Sequence, residues 1–197
     1  MNSPNDPYEP RLDLPAFVGQ KDKSEWSRDE ARQALDWTIV RLEVVPLLLR
    51  WLDIDPDQPC PDLLLKAGVK ATPILRLPEY STPGPNIVST ELKGHAIETD
   101  IGAILTGVGE ALAYDLGLVI AACLKRSIPG LDWMTARGGK LYVSLNLPLL
   151  AWDARRAGFD PGLIGLNTAR HAIRSGNGRR WADIYQVWLE ALHESPS

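Results

Sequence analysis

Between residues 99 and 126 the small residues Gly102, Thr106, Gly109, Ala113, Gly117 and Ala121 recur every three or four positions, the repeat of one helix face. Glycine inside a helix costs about 1 kcal/mol relative to alanine, so such a stripe requires that another helix or a sheet lie close against it. The adjoining stripe of Ile101, Leu105, Val108, Leu112, Leu116, Val119 and Cys123 supplies core surface, which predicts the central helix of the fold. Lys125 and Arg126 close it with charges suited to the negative end of a helix dipole. The apolar run 101–124 is long enough to cross a bilayer. Glu110 and Asp115 within it would each cost about 2.5 to 3.5 kcal/mol near the membrane centre, so it reads as a buried core helix.

Other elements arrange themselves around that helix. Residues 1–24, with Pro4, Pro7, Pro10 and Pro15, predict a flexible arm, whose stretch Leu12, Leu14, Ala16, Phe17 and Val18 is available for docking. Residues 25–197 are expected to form a single globular domain. Ser27 followed by Glu30 is a capping box that starts a long helix, with Ala31, Leu35, Ile39, Leu42, Leu49 and Leu52 on one stripe. Pro46 removes a backbone donor and clashes one turn back, so a kink or break is expected there. A short helix over 62–67, led by Pro61 and closed by Gly68, precedes a possible edge strand over 69–77 and a loop over 81–86.

After Pro129 and Gly130 the alternation predicts a hairpin, with strands over 131–136 and 141–146 joined at Arg137-Gly138-Gly139-Lys140. Three helices are expected to follow: 148–157, stopped at Gly158; 161–174, capped by Asp160; and 180–193. On the last, Trp181, Ile184, Tyr185, Trp188, Leu189 and Leu192 form one face. The expected fold class is α+β, mainly α: a central small-residue helix, a minor antiparallel hairpin or sheet, and surrounding helices.

Charge and cysteine content narrow the function. The net charge of -4 argues against a nucleic-acid binder, which carries a basic face. The first hundred residues hold 11 basic against 17 acidic side chains, the remainder 10 against 8. Arg155, Arg156, Arg170, Arg174, Arg179 and Arg180 gather in the last quarter. Cys60 and Cys123 alone cannot build a disulfide framework, which fits a reducing cytoplasm, and MNSPNDPYEP lacks the pattern of a secretory leader. No membrane association is expected.

Candidate sites are few. Glu91, His95 and Glu98 stand at i, i+4 and i+7 and would share a face if helical, a donor set able to hold a divalent metal. Glu110 and Asp115 do not share a helix face, and a cationic structural partner for such carboxylates is expected from the arginine-rich C-terminal helices. Neither cysteine has a base beside it in sequence, so neither reads as a nucleophile. Seven tryptophans against two phenylalanines offer large amphipathic surface, with Trp181 and Trp188 as candidate partner anchors. The stretch from Asp53 to Pro61 is acidic and proline-punctuated, and its Asp53, Asp55 and Asp57 are candidate partner-binding carboxylates.

The run GEALAYDLGLVIAACLKRSIPGLDW, a helix followed by Pro-Gly-x-x-Trp and a hairpin, resembles small actinobacterial proteins of that helix, PGxxW and hairpin pattern, some encoded beside toxin genes. The resemblance spans residues 102–148 and implies a binding role of the immunity type, with no catalytic residue carried over. Residues and resemblance together lead to a non-enzymatic, cytoplasmic protein-binding module, immunity or adaptor-like, using an acidic, Trp-containing surface against another protein. No cofactor is expected. The alternatives are a small metal-dependent hydrolase using Glu91, His95 and Glu98, and a homo-oligomer joined through Trp181 and Trp188.

Overall fold

The computed structural model describes residues 8–20, 22–84, 88–92, 95–99, 103–138, 145–153 and 158–193. Helix α1 (Arg28–Arg41) starts at the expected capping box: Glu30 N–H donates to Ser27 Oγ at 3.2 Å, and Ser27 N–H to Glu30 Oε2 at 2.7 Å. The helix breaks where Pro46 requires it. A 3₁₀ turn (Leu42–Val44) separates α1 from α2 (Val45–Trp51), placing the proline in the first turn of α2, where its missing donor costs little.

Helix α3 (Cys60–Leu75) corrects the sequence reading. It runs on through Gly68, and residues 69–75 of the edge strand expected over 69–77 complete it. Gly68 is an approach point: a Cβ there would collide with the Gly178 carbonyl and with Trp181 Cδ1. Pro73 falls in the last turn, where the one hydrogen bond it removes would have used the carbonyl of exposed Val69.

Three two-stranded antiparallel sheets accompany the helices among the described residues. Strand β1 (Ser81–Pro83), within a stretch read as loop, pairs with β4 (Ala103–Leu105); β2 (Val88–Leu92) pairs with β3 (His95–Thr99). The central helix α4 (Gly107–Ser127) therefore begins only after β4, with Thr106 as its cap accepting Gly109 N–H at 3.1 Å. Its small-residue stripe does what was expected of it. A Cβ at Gly117 would strike the Pro161 carbonyl, and one at Gly165 the Ala113 carbonyl, so α5 (Pro161–Ser175) lies backbone to backbone against α4. Around the rest of α4, Leu112, Leu116, Leu118, Val119, Ile120 and Leu124 are buried, each worth about 1.5 to 3 kcal/mol. This helix is long and apolar enough to cross a membrane, but 72% of its most apolar window is buried inside the protein.

Strand β5 (Asp132–Thr135) pairs with β6 (Pro148–Ala151), with Trp133 opposite Leu150. The hairpin is thus wider than its alternation indicated: the returning strand is the segment read as a helix over 148–157, while residues 139–144 and 154–157 lie outside those described. Tertiary pairing decided this, because Leu149, Leu150 and Ala151 are all buried and β6 also bridges to Phe159. Helix α5 takes its cap from Asp160, whose Oδ1 accepts Leu163 N–H at 3.0 Å, and ends at Gly176 in the left-handed region. Helix α6 (Arg180–His193) buries Trp181, Tyr185 and Leu192 as its stripe predicted.

Residues of the expected flexible arm lie on this body. Tyr8 is buried with its ring 5.2 Å from that of Trp51, Trp37 Nε1 donates to the Asp13 carbonyl at 2.8 Å, and Phe17 packs edge-on to Trp26.

Candidate functional site

A cleft of about 720 Å³ lies between α1 and the β5 end of the hairpin. The spacing of α1 supplies one wall: Arg28, Ala31, Arg32 and Leu35 recur at i, i+3, i+4 and i+7. Trp133, Met134 and Thr135 of β5 supply the other, extended by Ala136, Arg137 and Gly138, with Leu145 and Asn146 returning beside them. The capping box fixes the start of α1. Asn146, at a φ of 64°, donates from Nδ2 to the Lys23 carbonyl at 2.7 Å, tying the chain that leads into α1 to the turn before β6. Ala136 N–H donates to the Leu147 carbonyl and Asn146 N–H to the Ala136 carbonyl, so β5 holds its register to the cleft rim.

Among the described residues the charge of this cleft is of one sign. Arg28, Arg32 and Arg137 line it, no carboxylate does, and among the described residues none of the three guanidiniums has an ion-pair partner. All three are exposed, whereas Leu35, Trp133 and Met134 between them are half-buried. Three forked donor groups around an apolar floor match a ligand that carries carboxylates or phosphates together with apolar groups. Sequence reasoning passed over this site. The Arg28 and Arg32 pair at i, i+4 was a readable signal, but Arg137 joins them only through the packing of β5 on α1. Of the arginines that drew attention in sequence, Arg170, Arg174, Arg179 and Arg180 do not line it, Arg179 pairing with Asp183 at 3.7 Å, and Arg155 and Arg156 lie outside the described residues.

The expected acidic surface is present but locally compensated. Asp53, Asp55 and Asp57 are exposed, Asp53 meets Lys70 Nζ at 3.1 Å, and Asp55 Oδ1 accepts the Asp57 N–H at 3.0 Å. Arg50 and Lys66 line the same shallow depression as Asp53 and Asp55. The two tryptophans separate by role. Trp181 is 1% exposed and belongs to the core, which withdraws it from any docking surface of this chain; Trp188 is half-buried, edge-on to Phe159 at 5.5 Å.

The helical spacing assumed for Glu91, His95 and Glu98 is not realised. Glu91 lies in β2 opposite Ala96, while in β3 His95 is opposite Leu92 and Glu98 opposite Ser89. An antiparallel ladder has a repeat of two, so i, i+4 and i+7 no longer define one face. The side chains of these three lie outside the described residues. Among those described, no group of three His, Cys, Asp or Glu side chains is gathered for a metal.

One buried polar cluster stands apart from the cleft. Asp115, wholly buried in α4, accepts Arg41 Nε on Oδ1 at 2.9 Å, Arg41 Nη2 on Oδ2 at 2.8 Å, and the Tyr8 hydroxyl at 2.9 Å. The cation expected from the C-terminal helices thus comes from α1. Burial pushes the Asp115 carboxyl up, against the lowering pull of Arg41 and the Tyr8 hydroxyl. Burial opposes the charge on Arg41, but the hydrogen-bonded carboxylate outweighs it and holds the guanidinium above its ordinary value. Beside it Tyr114 shares a hydrogen bond with Thr38 at 3.0 Å. With both Asp115 carboxylate oxygens engaged, this cluster ties α1, α4 and the arm together.

Compared with protein-family models, with curated proteins and with solved structures, the chain matches none.

Proposed function

We propose that this chain is a non-enzymatic protein-binding module, and that its recognition site is the cleft of Arg28, Arg32 and Arg137, which takes an acidic segment bearing apolar side chains. The observation that carries the reading is the cluster of three guanidiniums, none with an ion-pair partner among the described residues, around a floor of Leu35, Trp133 and Met134. A chain of net charge -4 repels nucleic acid overall, so a local basic cleft favours a short acidic ligand over a long polyanion. An immunity or adaptor-like role in the cytoplasm accords with this reading, and the two free thiols suit a reducing compartment.

The test is fluorescence anisotropy of a labelled peptide alternating Glu and Leu, compared with its Gln and Leu counterpart. The acidic peptide is expected to bind, to weaken as salt rises, and to lose about tenfold or more in affinity with Arg32→Ala or Arg137→Ala, at about 1.5 to 3 kcal/mol per charge-assisted contact. Equal binding of the two peptides, or variants that bind as the wild type does, would overturn the reading.

A second reading uses the acidic loop against a basic partner. The exposure of Asp55 and Asp57 supports it, together with the fixing of that loop by Arg126, which donates to the Pro56 and Gln58 carbonyls at 3.2 and 2.8 Å. Reversal of Asp53, Asp55 and Asp57 to lysine should then slow association with that partner and flatten its salt dependence; unchanged kinetics would exclude this face.

A further inference from the structure

Cys60 and Cys123, distant in sequence, meet where the first residue of α3 packs on the last turns of α4. The Cys60 thiol donates to the Cys123 carbonyl oxygen at 3.7 Å, which sets the Cys60 sulfur against the residue that carries the second thiol. Arg126 donates to the same sulfur twice, from Nε at 3.1 Å and Nη2 at 2.8 Å. Ser127 Oγ stands 4.0 Å from it and is itself joined to the Tyr185 hydroxyl at 2.8 Å. A guanidinium fork on a sulfur that also heads a 16-residue helix stabilises negative charge developing there. Both cysteines are buried, yet a cavity of about 210 Å³, walled by Val45, Leu49, Val119, Cys123 and Arg126 and wide enough for a molecule of two oxygen atoms, lies against Cys123 and against the guanidinium that holds Cys60.

We propose that Cys60 and Cys123 form a peroxide-oxidisable dithiol, with Cys60 as the attacking sulfur and Cys123 as the resolving one. In the first step the Cys60 sulfur attacks hydrogen peroxide: an S–O bond forms, the O–O bond breaks, and the thiol proton leaves with the departing hydroxide as water. In the second the Cys123 sulfur attacks the sulfenic acid: the S–S bond forms, the S–O bond breaks, and the Cys123 proton leaves with hydroxide as a second water. The sulfur pair loses two electrons and the peroxide gains them. Burial, together with the Cys60 thiol beside it, pushes the Cys123 thiol up, which keeps it protonated while Cys60 reacts. Arg126 is a positioning residue. It also holds the carbonyls of Pro56 and Gln58, so oxidation at Cys60 alters the group that fixes the acidic loop.

The experiment treats the native, fully reduced protein with hydrogen peroxide, blocks remaining thiols with N-ethylmaleimide after denaturation, and maps peptides without reductant. The expected result is a crosslinked peptide holding Cys60 and Cys123, reversed by dithiothreitol. Cys123→Ser should leave a dimedone-trappable sulfenic acid at Cys60, and Cys60→Ser should leave Cys123 unoxidised. Arg126→Lys should slow the reaction at least tenfold while the circular dichroism spectrum is kept. A native chain that retains both thiols at peroxide levels that oxidise the denatured chain would overturn the proposal. So would Cys123 oxidising equally fast in Cys60→Ser.

Discussion

Arg41 grips Asp115 with two parallel hydrogen bonds across 74 residues of sequence, Nε to Oδ1 and Nη2 to Oδ2, joining α1 to the buried face of α4. The Asp115 side chain is 0% exposed and that of Arg41 14%. Removing one partner of such a pair leaves a buried charge uncompensated, which costs about 3 to 5 kcal/mol, whereas replacing both by apolar groups of similar volume is close to neutral. Arg41→Met is therefore expected to lower the urea midpoint sharply, and Arg41→Met combined with Asp115→Leu to recover most of the loss. A single variant within about 1 kcal/mol of wild type would show that the pair does not fasten α1 to α4.

The alkaline limb of stability should be set by buried tyrosines. Burial, the Asp115 charge and the hydrogen bond to it raise the Tyr8 phenol above its ordinary range; burial raises Tyr114 against the lowering effect of the hydrogen bond shared with Thr38. A folded value above the unfolded value of about 10 means that the folded state holds the proton longer, so this stability is complete below about pH 10 and is lost as pH rises further. Each such tyrosine contributes a slope of about 1.4 kcal/mol per pH unit, and the raised Cys123 thiol acts with the same sign from about pH 8.5 upward. Denaturation at a series of alkaline pH values should give a shallower decline for Tyr8→Phe than for wild type. Parallel curves would contradict the burial of Tyr8 against Asp115.

Glycine substitutions should divide by contact. A Cβ at Gly68 meets the Gly178 carbonyl, and one at Gly178 lies 2.5 Å from the Gly68 carbonyl oxygen, so α3 and the turn into α6 touch backbone to backbone. Gly68→Ala and Gly117→Ala are each expected to cost about 1 to 3 kcal/mol or more, because the obstruction is backbone that cannot rotate away. Gly107, with nothing within 4 Å of its Cβ position, is the control: Gly107→Ala should be neutral or stabilising by up to about 1 kcal/mol. Thermal unfolding of the three variants decides this, and equal effects at all three would remove the close-approach account.

The glycines also mark how much of the molecule was legible in sequence. Where the signal was a local period or a cap it carried through: Ser27 with Glu30, the break at Pro46, the stripe from Gly109 to Ala121, Asp160 at the head of α5, and the face of α6. Gly68 misled because a packing glycine and a terminating glycine look the same without the neighbour that fills the space. Leu149 and Leu150 misled for a related reason, since a short apolar run does not say whether it is helix or strand until β5 and Phe159 pair with it. Long-range pairings were the least readable. Nothing near Asp115 names Arg41, and nothing near Arg28 and Arg32 names Arg137, which reaches their cleft through the packing of β5 on α1.

The central claim, that the arginine cleft is the recognition surface, is tested most directly by amide chemical-shift mapping of the labelled protein titrated with the acidic Glu and Leu peptide. The account predicts saturable shifts concentrated at residues 28–35 and 133–138, lost in Arg32→Ala. Shifts centred on residues 53–57, or spread evenly over the surface, would contradict it.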